Sequence, residues 1–180
     1  MEARNVLVTG ASRGIGRAVA LELAGRGFAV TLNYRSRDEE ALAAQAAIEA
    51  AGGRACLARF DVADAAACEQ ALGAAVEEHG AFWGVVLNAG VTADGPLGGM
   101  AHEDWQRVLR TNLDGFFHVL RPLVMPMVRL RSGGRIVVMS SVAGLTGNRG
   151  QANYSASKAG LIGAARSLAL ELAKRAITGN

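Results

Sequence analysis

Cysteine is nearly absent: Cys56 and Cys68 are the only two in 180 residues, and their spacing matches no paired motif. That excludes a disulfide framework and a thiolate metal site, and both read as small core residues of a reducing compartment. Histidine is as sparse, with His79, His102 and His118 too scattered to form a ligand set, so no metal is expected. No apolar run approaches the roughly 18 uninterrupted residues that cross a bilayer. Met1, Glu2, Ala3 and Arg4 lead straight into a strand, which leaves no room for a secretory signal, and a cytoplasmic protein is expected. Neither sign of charge dominates, since 19 Lys and Arg face 16 Asp and Glu for a formal net charge of +3. With aromatics at 5%, no basic stripe interleaves with rings, which argues against nucleic acid. The small basic excess fits an anionic small ligand or an acidic carrier. Linkers, low-complexity tracts and internal repeats are missing too, so residues 1–180 read as one domain.

What is present is a composition 51% hydrophobic, enough for a buried core, laid out as strands alternating with helices. Residues 5–9 form a strand that ends at Gly10-Ala11-Ser12-Arg13-Gly14-Ile15-Gly16, and a helix over 17–26 follows and stops at Gly27. A strand, a glycine turn and a helix together cradle a pyrophosphate, because glycine lets the backbone approach and the helix N-terminus offers free N–H groups. The spacing is Gly-x3-Gly-x-Gly, not Gly-x-Gly-x2-Gly. A second strand over 28–33 runs into Tyr34, Arg35, Ser36 and Arg37. At this position an acid selects a free ribose 2′-hydroxyl and arginine accommodates a 2′-phosphate, so Arg35, with Arg13 as a second cation, points to NADPH over NADH. The alternative is that Arg35 and Arg37 decorate a loop.

Residues 36–51 predict a helix capped by Ser36, followed by a third strand over 55–60 with Asp61 and Val62 at its end. A helix over 64–79 leads to a fourth strand over 83–87 that closes on Asn88-Ala89-Gly90. One long helix is expected over 102–130, kinked or interrupted at Pro122 and Pro126. After Gly133-Gly134 a fifth strand over 135–139 carries Ser140 and Ser141, residues 144–150 read as a loop, and 154–175 as a last helix. This rhythm predicts an α/β fold: a doubly wound (Rossmann-type) parallel sheet with helices on both faces. Asp61, Asn88 and Gly90 then fall at carboxyl ends of strands, where ligands bind in such sheets, although Asp61 and Asn88 also suit ordinary turns.

Tyr154 and Lys158 lie four residues apart, one turn of a helix and on the same face. A phenol has an ordinary pKa near ~10 and is a poor acid-base catalyst alone, whereas a neighbouring ammonium favours the phenolate. Ser141 adds a hydroxyl donor for an oxygen that develops negative charge. The three together suit protonation of a carbonyl oxygen while a second agent delivers hydride to its carbon. A Tyr–Lys pair at this spacing also occurs on solvated helix faces, and the glycine turn is what tips the balance.

Taken in order, Thr9-Gly10-Ala11-Ser12-Arg13-Gly14-Ile15-Gly16, Asp61-Val62, Asn88-Ala89-Gly90, Asn112, Ser141 and Tyr154-x3-Lys158 resemble the short-chain dehydrogenase/reductases. The stretches 147–154 and 159–163 are similar to those of the 3-oxoacyl-[acyl-carrier-protein] reductases of fatty-acid synthesis. The resemblance implies that Tyr154 is the general acid, that Lys158 lowers its pKa and binds the nicotinamide ribose, and that Ser141 polarises the carbonyl. It implies that Asn112 holds a water linking Lys158 to solvent, that Asp61 and Val62 contact adenine, and that Asn88, Ala89 and Gly90 pack against the cofactor. Ser140 is the structural neighbour. Acyl carrier protein is the implied partner, with Arg129, Arg131 and Arg175 near its docking surface, although cations there also complement helix dipoles; a homotetramer is implied as well. The same chemistry on acyl-CoA, a sugar or a xenobiotic ketone is the rival, and a non-catalytic nucleotide-binding fragment a second. The family continues past a sixth strand, begun here at residues 176–178, into a substrate-covering segment and a seventh. The chain is therefore expected to lack C-terminal strands, with Gly179 where a branched apolar residue is usual.

Overall fold

Alternation of side chains along the strands sets the architecture. In the computed structural model, which describes residues 3–180, β1 (Asn5–Val8) sends Leu7 to one face and Val6 and Val8 to the other. β4 (Gly84–Leu87) does the same with Val85 and Leu87 against Val86. Two cores result, one on each face of a single parallel sheet ordered β3-β2-β1-β4-β5-β6. The remaining strands are β2 (Ala29–Tyr34), β3 (Arg54–Arg59), β5 (Gly134–Val138) and β6 (Ile177–Gly179). The helices α1 (Gly14–Gly25) and α2 (Asp38–Ala50) cover one face through Ala20, Ala24, Ala44 and Ile48. On the other face lie α3 (Ala65–His79), α5 (Gly115–Leu130) and α7 (Ala152–Leu172), with Leu72, Leu123, Met127 and Leu172 in the core. The order of the sheet reverses between β1 and β4, and the crevice outside their carboxyl ends is where this topology places a ligand.

Cys68 is a core residue, as expected, whereas Cys56 on the edge strand β3 is only half-buried and belongs to neither core. Burial pushes the Cys68 thiol up to about 12, with Asp64 and Asp61 adding to the effect, and raises that of Cys56 as well. Asp64 caps α3 by accepting from the Ala67 N–H at 3.0 Å.

Three local expectations change. Ser36 does not cap α2: the helix starts two residues later, behind Arg37 and with no side-chain cap, because Asp38, Glu39 and Glu40 in its first turn satisfy the dipole instead. The long helix is interrupted well before its prolines. It divides into α4 (His102–Leu109), a π-helical turn (Arg110–Asp114) and α5, which runs through Pro122 and Pro126 to Leu130. A proline inside a helix costs ~3 kcal/mol, but Val119, Leu120, Leu123 and Met127 on α5 are 3% exposed or less, and each such burial contributes ~1.5–3 kcal/mol. Packing therefore holds the helix together, and the break falls where hydrogen bonds to Asn112 favour an extra residue in the turn. Residues 144–150 are not all loop, since α6 (Ala143–Thr146) makes one turn. At the other end of the sheet a Cβ on Gly179 would stand 3.3 Å from the Ala165 carbonyl oxygen, so β6 lies tight against α7.

Candidate active site

The glycine turn folds onto itself. Gly10 has φ +64°, and a Cβ on Gly16 would stand 2.3 Å from the Gly10 carbonyl oxygen and 2.5 Å from Asn88 Nδ2, so only glycine fits at 16. The turn is also braced from outside. Thr9 Oγ1 accepts from the Asn88 and Ala89 N–H groups at 2.9 and 3.0 Å, and Asn88 Nδ2 donates to the Thr9 carbonyl at 3.0 Å. Asn33 Oδ1 accepts from the Gly10 N–H at 3.2 Å, while its Nδ2 donates to the Ala58 and Phe60 carbonyls. Asn33 was legible only as a strand end; its part as a strut appears once β2 and β3 are side by side. The first turn of α1 contains no acid and Arg13 at its N-cap makes no side-chain cap, which leaves those N–H groups available to an anion.

A cavity of about 360 Å³ gathers these pieces. Gly10, Ser12, Arg13, Gly14, Ile15, Arg35, Ser36, Asp61, Val62, Asn88, Ala89 and Gly90 all line it, together with Asn33, Tyr34, Phe60, Val91 and Thr111, which the motifs did not single out. Gly16 stands behind the wall. At the outer end the cations already have company. Arg35 Nη1 lies 3.5 Å from Asp61 Oδ2, Arg37 pairs with Glu40 at 2.6 Å, and Arg59 reaches both the Arg35 carbonyl and Asp38. The Arg37 hydrogen bond, helped by the field of Arg13, holds the Glu40 carboxyl below its ordinary value. Arg13 makes no ion pair among the described residues.

The second half of the site is carried by α7 and the end of β5. Lys158 is 5% exposed, its Nζ lies 5.6 Å from the centre of the Tyr154 ring, and it donates to the Met139 carbonyl at 2.6 Å. No carboxylate pairs with it among the described residues, and burial lowers its pKa. Ser141 is half-buried; its Oγ accepts from the Ala143 N–H at 3.2 Å and keeps its own hydrogen for another acceptor. Ser140 fastens the strand end to α7 by donating to the Lys158 carbonyl at 2.9 Å, the structural part expected of it. Gly144 lets the backbones meet there, since a Cβ would lie 2.8 Å from the Lys158 carbonyl carbon.

The two halves join at Gly90. A Cβ on it would stand 3.2 Å from Asn112 Oδ1 and 3.7 Å from Lys158 Nζ. Asn112, 3% exposed at the centre of the π turn, accepts from the Val91 N–H at 2.8 Å and donates to the Val91 carbonyl and to Ser157 Oγ. Its carboxamide is thus occupied with fastening the loop after β4. Asn153 adds a second tie by donating to the Ala93 carbonyl at 2.9 Å.

The arginines expected beside the mouth lie elsewhere. Helices α5 and α7 both run from the carboxyl end of the sheet to its amino end, so Arg129, Arg131 and Arg175 end up where β5 and β6 begin, with Gly134 N–H bonded to the Ala176 carbonyl. Leu130 and Ser132 line a cleft there with Arg4, Asn5 and Arg54, at the opposite edge from the glycine turn.

A family model described as short chain dehydrogenase matches residues 4–180. The 3-oxoacyl-[acyl-carrier-protein] reductase FabG of Aggregatibacter actinomycetemcomitans is 57% identical over 175 residues, covering 97% of this chain and 72% of that protein. The FabG of Staphylococcus aureus is 44% identical over 177 residues, 98% of this chain and 72% of its own length. The 3-oxoacyl-[acyl-carrier-protein] reductase of Synechocystis is 44% identical over 180 residues, 100% and 72% of the two chains. Among the described residues no helix is long and apolar enough to cross a membrane.

Proposed function

The chain belongs to the short-chain dehydrogenase family and is an oxidoreductase, and on that premise we propose that it reduces a 3-oxoacyl thioester, presented by acyl carrier protein, to the 3-hydroxyacyl form with NADPH. The observation that carries this reading is a buried lysine with no acid beside it among the described residues, near a phenol ring and joined through Gly90 to a glycine-turn cavity. The Gly16 wall, the uncapped start of α1 and the arginine-lined outer end fit a dinucleotide with a 2′-phosphate.

In this reading Gly10, Ser12, Gly14 and Ile15 hold the pyrophosphate while Gly16, behind the wall, lets the turn close; Arg13 and Arg35 with Ser36 take the 2′-phosphate end, and Asp61 and Val62 the adenine. Asn88, Ala89 and Gly90 floor the nicotinamide end, with Lys158 on its ribose. Bound there, NADPH supplies the hydride. Tyr154 gives its phenolic proton to the carbonyl oxygen, Lys158 favours the phenolate that remains, and Ser141 hydrogen-bonds the same oxygen as charge builds on it. Asn112 spends its carboxamide on Val91 and Ser157, so a water that links Lys158 to solvent would be held by its main chain. Val142 and Leu145, each over 70% exposed beside Ser141, present an apolar rim that an acyl chain would cover. Residues 1–180 work as one dinucleotide-binding and catalytic domain of a cytoplasmic homotetramer.

The test is NADPH oxidation, followed by nicotinamide absorbance, with a 3-oxoacyl carrier-protein thioester, its CoA analogue and a simple ketone. A kcat/KM at least ~10-fold higher on the carrier-bound substrate is expected; equal values on all three would remove the carrier protein from the reading.

A further inference from the structure

Between Tyr154 and Lys158 on α7 stands Ser157, to which neither the family resemblance nor the chemistry above gives a part. It is 0% exposed. Its Oγ donates to the Tyr154 carbonyl at 2.7 Å and accepts from Asn112 Nδ2 at 3.1 Å. The other Asn112 amide hydrogen goes to the Val91 carbonyl at 3.0 Å, and Asn112 Oδ1 accepts from the Val91 N–H. Both donors and the acceptor of that buried carboxamide are therefore satisfied, and Ser157 supplies its one partner on α7. Alanine would serve the helix better, since serine is the weaker helix former and a hydroxyl bonded back to the preceding turn works slightly against the helix. The hydroxyl has a use here because a buried N–H without an acceptor is costly.

The connection runs from the loop after β4, through the π turn, to the turn of α7 that bears Tyr154 and Lys158. π turns of this kind recur at functional sites, where the extra residue re-aims a side chain. Gly90, one residue before Val91, sits between Asn112 Oδ1 and Lys158 Nζ, so the spacing of these groups follows from where the carboxamide is held. We propose that Ser157 is a positioning residue: acting through Asn112, it locks the cofactor-facing loop to the proton-donating turn of α7. The inference rests on Tyr154 being the proton donor.

The experiment compares the full chain with its Ser157→Ala, Asn112→Ala and double variants. In Ser157→Ala, amide exchange at Val91 and through residues 88–95 should speed up at least ~10-fold while exchange in β1 and β4 is unchanged. Turnover should fall ~10–100-fold with KM for NADPH within about threefold, the pattern of a misplaced rather than a missing group. Because Ser157 acts through Asn112, the double variant should lose no more turnover than Asn112→Ala alone. Unchanged exchange at Val91 in Ser157→Ala, or losses that multiply in the double variant, would overturn the proposal. Full turnover in Tyr154→Phe would instead sink the assignment of the proton donor, and the exchange measurement would still decide whether Ser157 fastens the loop.

Discussion

At the scale of single residues, the site keeps one charged group in a place that costs stability. Lys158 is buried, with a backbone carbonyl as the one partner of its ammonium among the described residues, and burial holds its folded pKa below the ordinary 10.5. Between the folded and unfolded values the unfolded chain binds the proton more firmly, and unfolding free energy rises with pH across that window. Lys158→Met should abolish turnover and remove that rise, so the difference in unfolding free energy between wild type and variant should shift in favour of wild type as pH climbs toward 10.5. Chemical denaturation across the alkaline range measures it, and a pH-independent difference would mean that the lysine is not desolvated. Tyr154→Phe keeps the ring and removes the donor; kcat should drop by at least ~100-fold while NADPH still binds, read by fluorescence titration. Arg35 shares its charge with Asp61, whereas Arg13 makes no ion pair among the described residues. Arg35→Asp should lower the NADPH-to-NADH ratio of kcat/KM, and a ratio that does not move would transfer the 2′-phosphate to Arg13.

At the scale of elements, the stretch 102–130 shows how packing and hydrogen bonding divide the work. Proline was the visible breaker in the sequence, yet α5 continues through Pro122 and Pro126 because four side chains on one face enter the core. The break falls at Asn112, whose partners Val91 and Ser157 lie 21 and 45 residues away in the chain. Such contacts leave no local periodicity to read. Pro122→Ala restores a backbone donor inside α5, remote from Asn112. It should raise the unfolding free energy by ~1–3 kcal/mol with kcat unchanged, measured by thermal and denaturant unfolding beside the reductase assay. A loss of stability would mean that the helix needs the shape proline imposes.

At the scale of the whole molecule, the direction of the helices decides which charges face the mouth. Arg131 and Arg175 terminate elements that run away from the glycine turn, whereas Arg149, exposed in the loop just before α7, lies on the Tyr154 side. Charge reversal at Arg149 should raise KM for a carrier-bound substrate, with the effect shrinking in high salt, and should spare a simple ketone. Reversal at Arg131 in the same subunit should change KM little. A larger effect at Arg131 would place the carrier at the amino edge of the sheet, where only a neighbouring subunit's mouth could receive its cargo.

By itself the sequence determined the alternation of strands and helices, the glycine turn between a strand and a helix, and the Tyr154–Lys158 pair, because each depends on neighbours within a turn or on a period of two or 3.6 residues. It also showed a run of glycines at 10, 14 and 16 that gives the backbone room, while the structure showed that only glycine fits at 16. The tertiary structure alone decided what braces that turn: Asn33 and Thr9 become struts only when β2, β3 and β4 lie beside β1. It alone joined Ser157 to Asn112 and turned Arg129, Arg131 and Arg175 away from the mouth. These facts depend on distances between residues far apart in the chain and on the sense in which a helix runs. A local pattern of residue types contains neither.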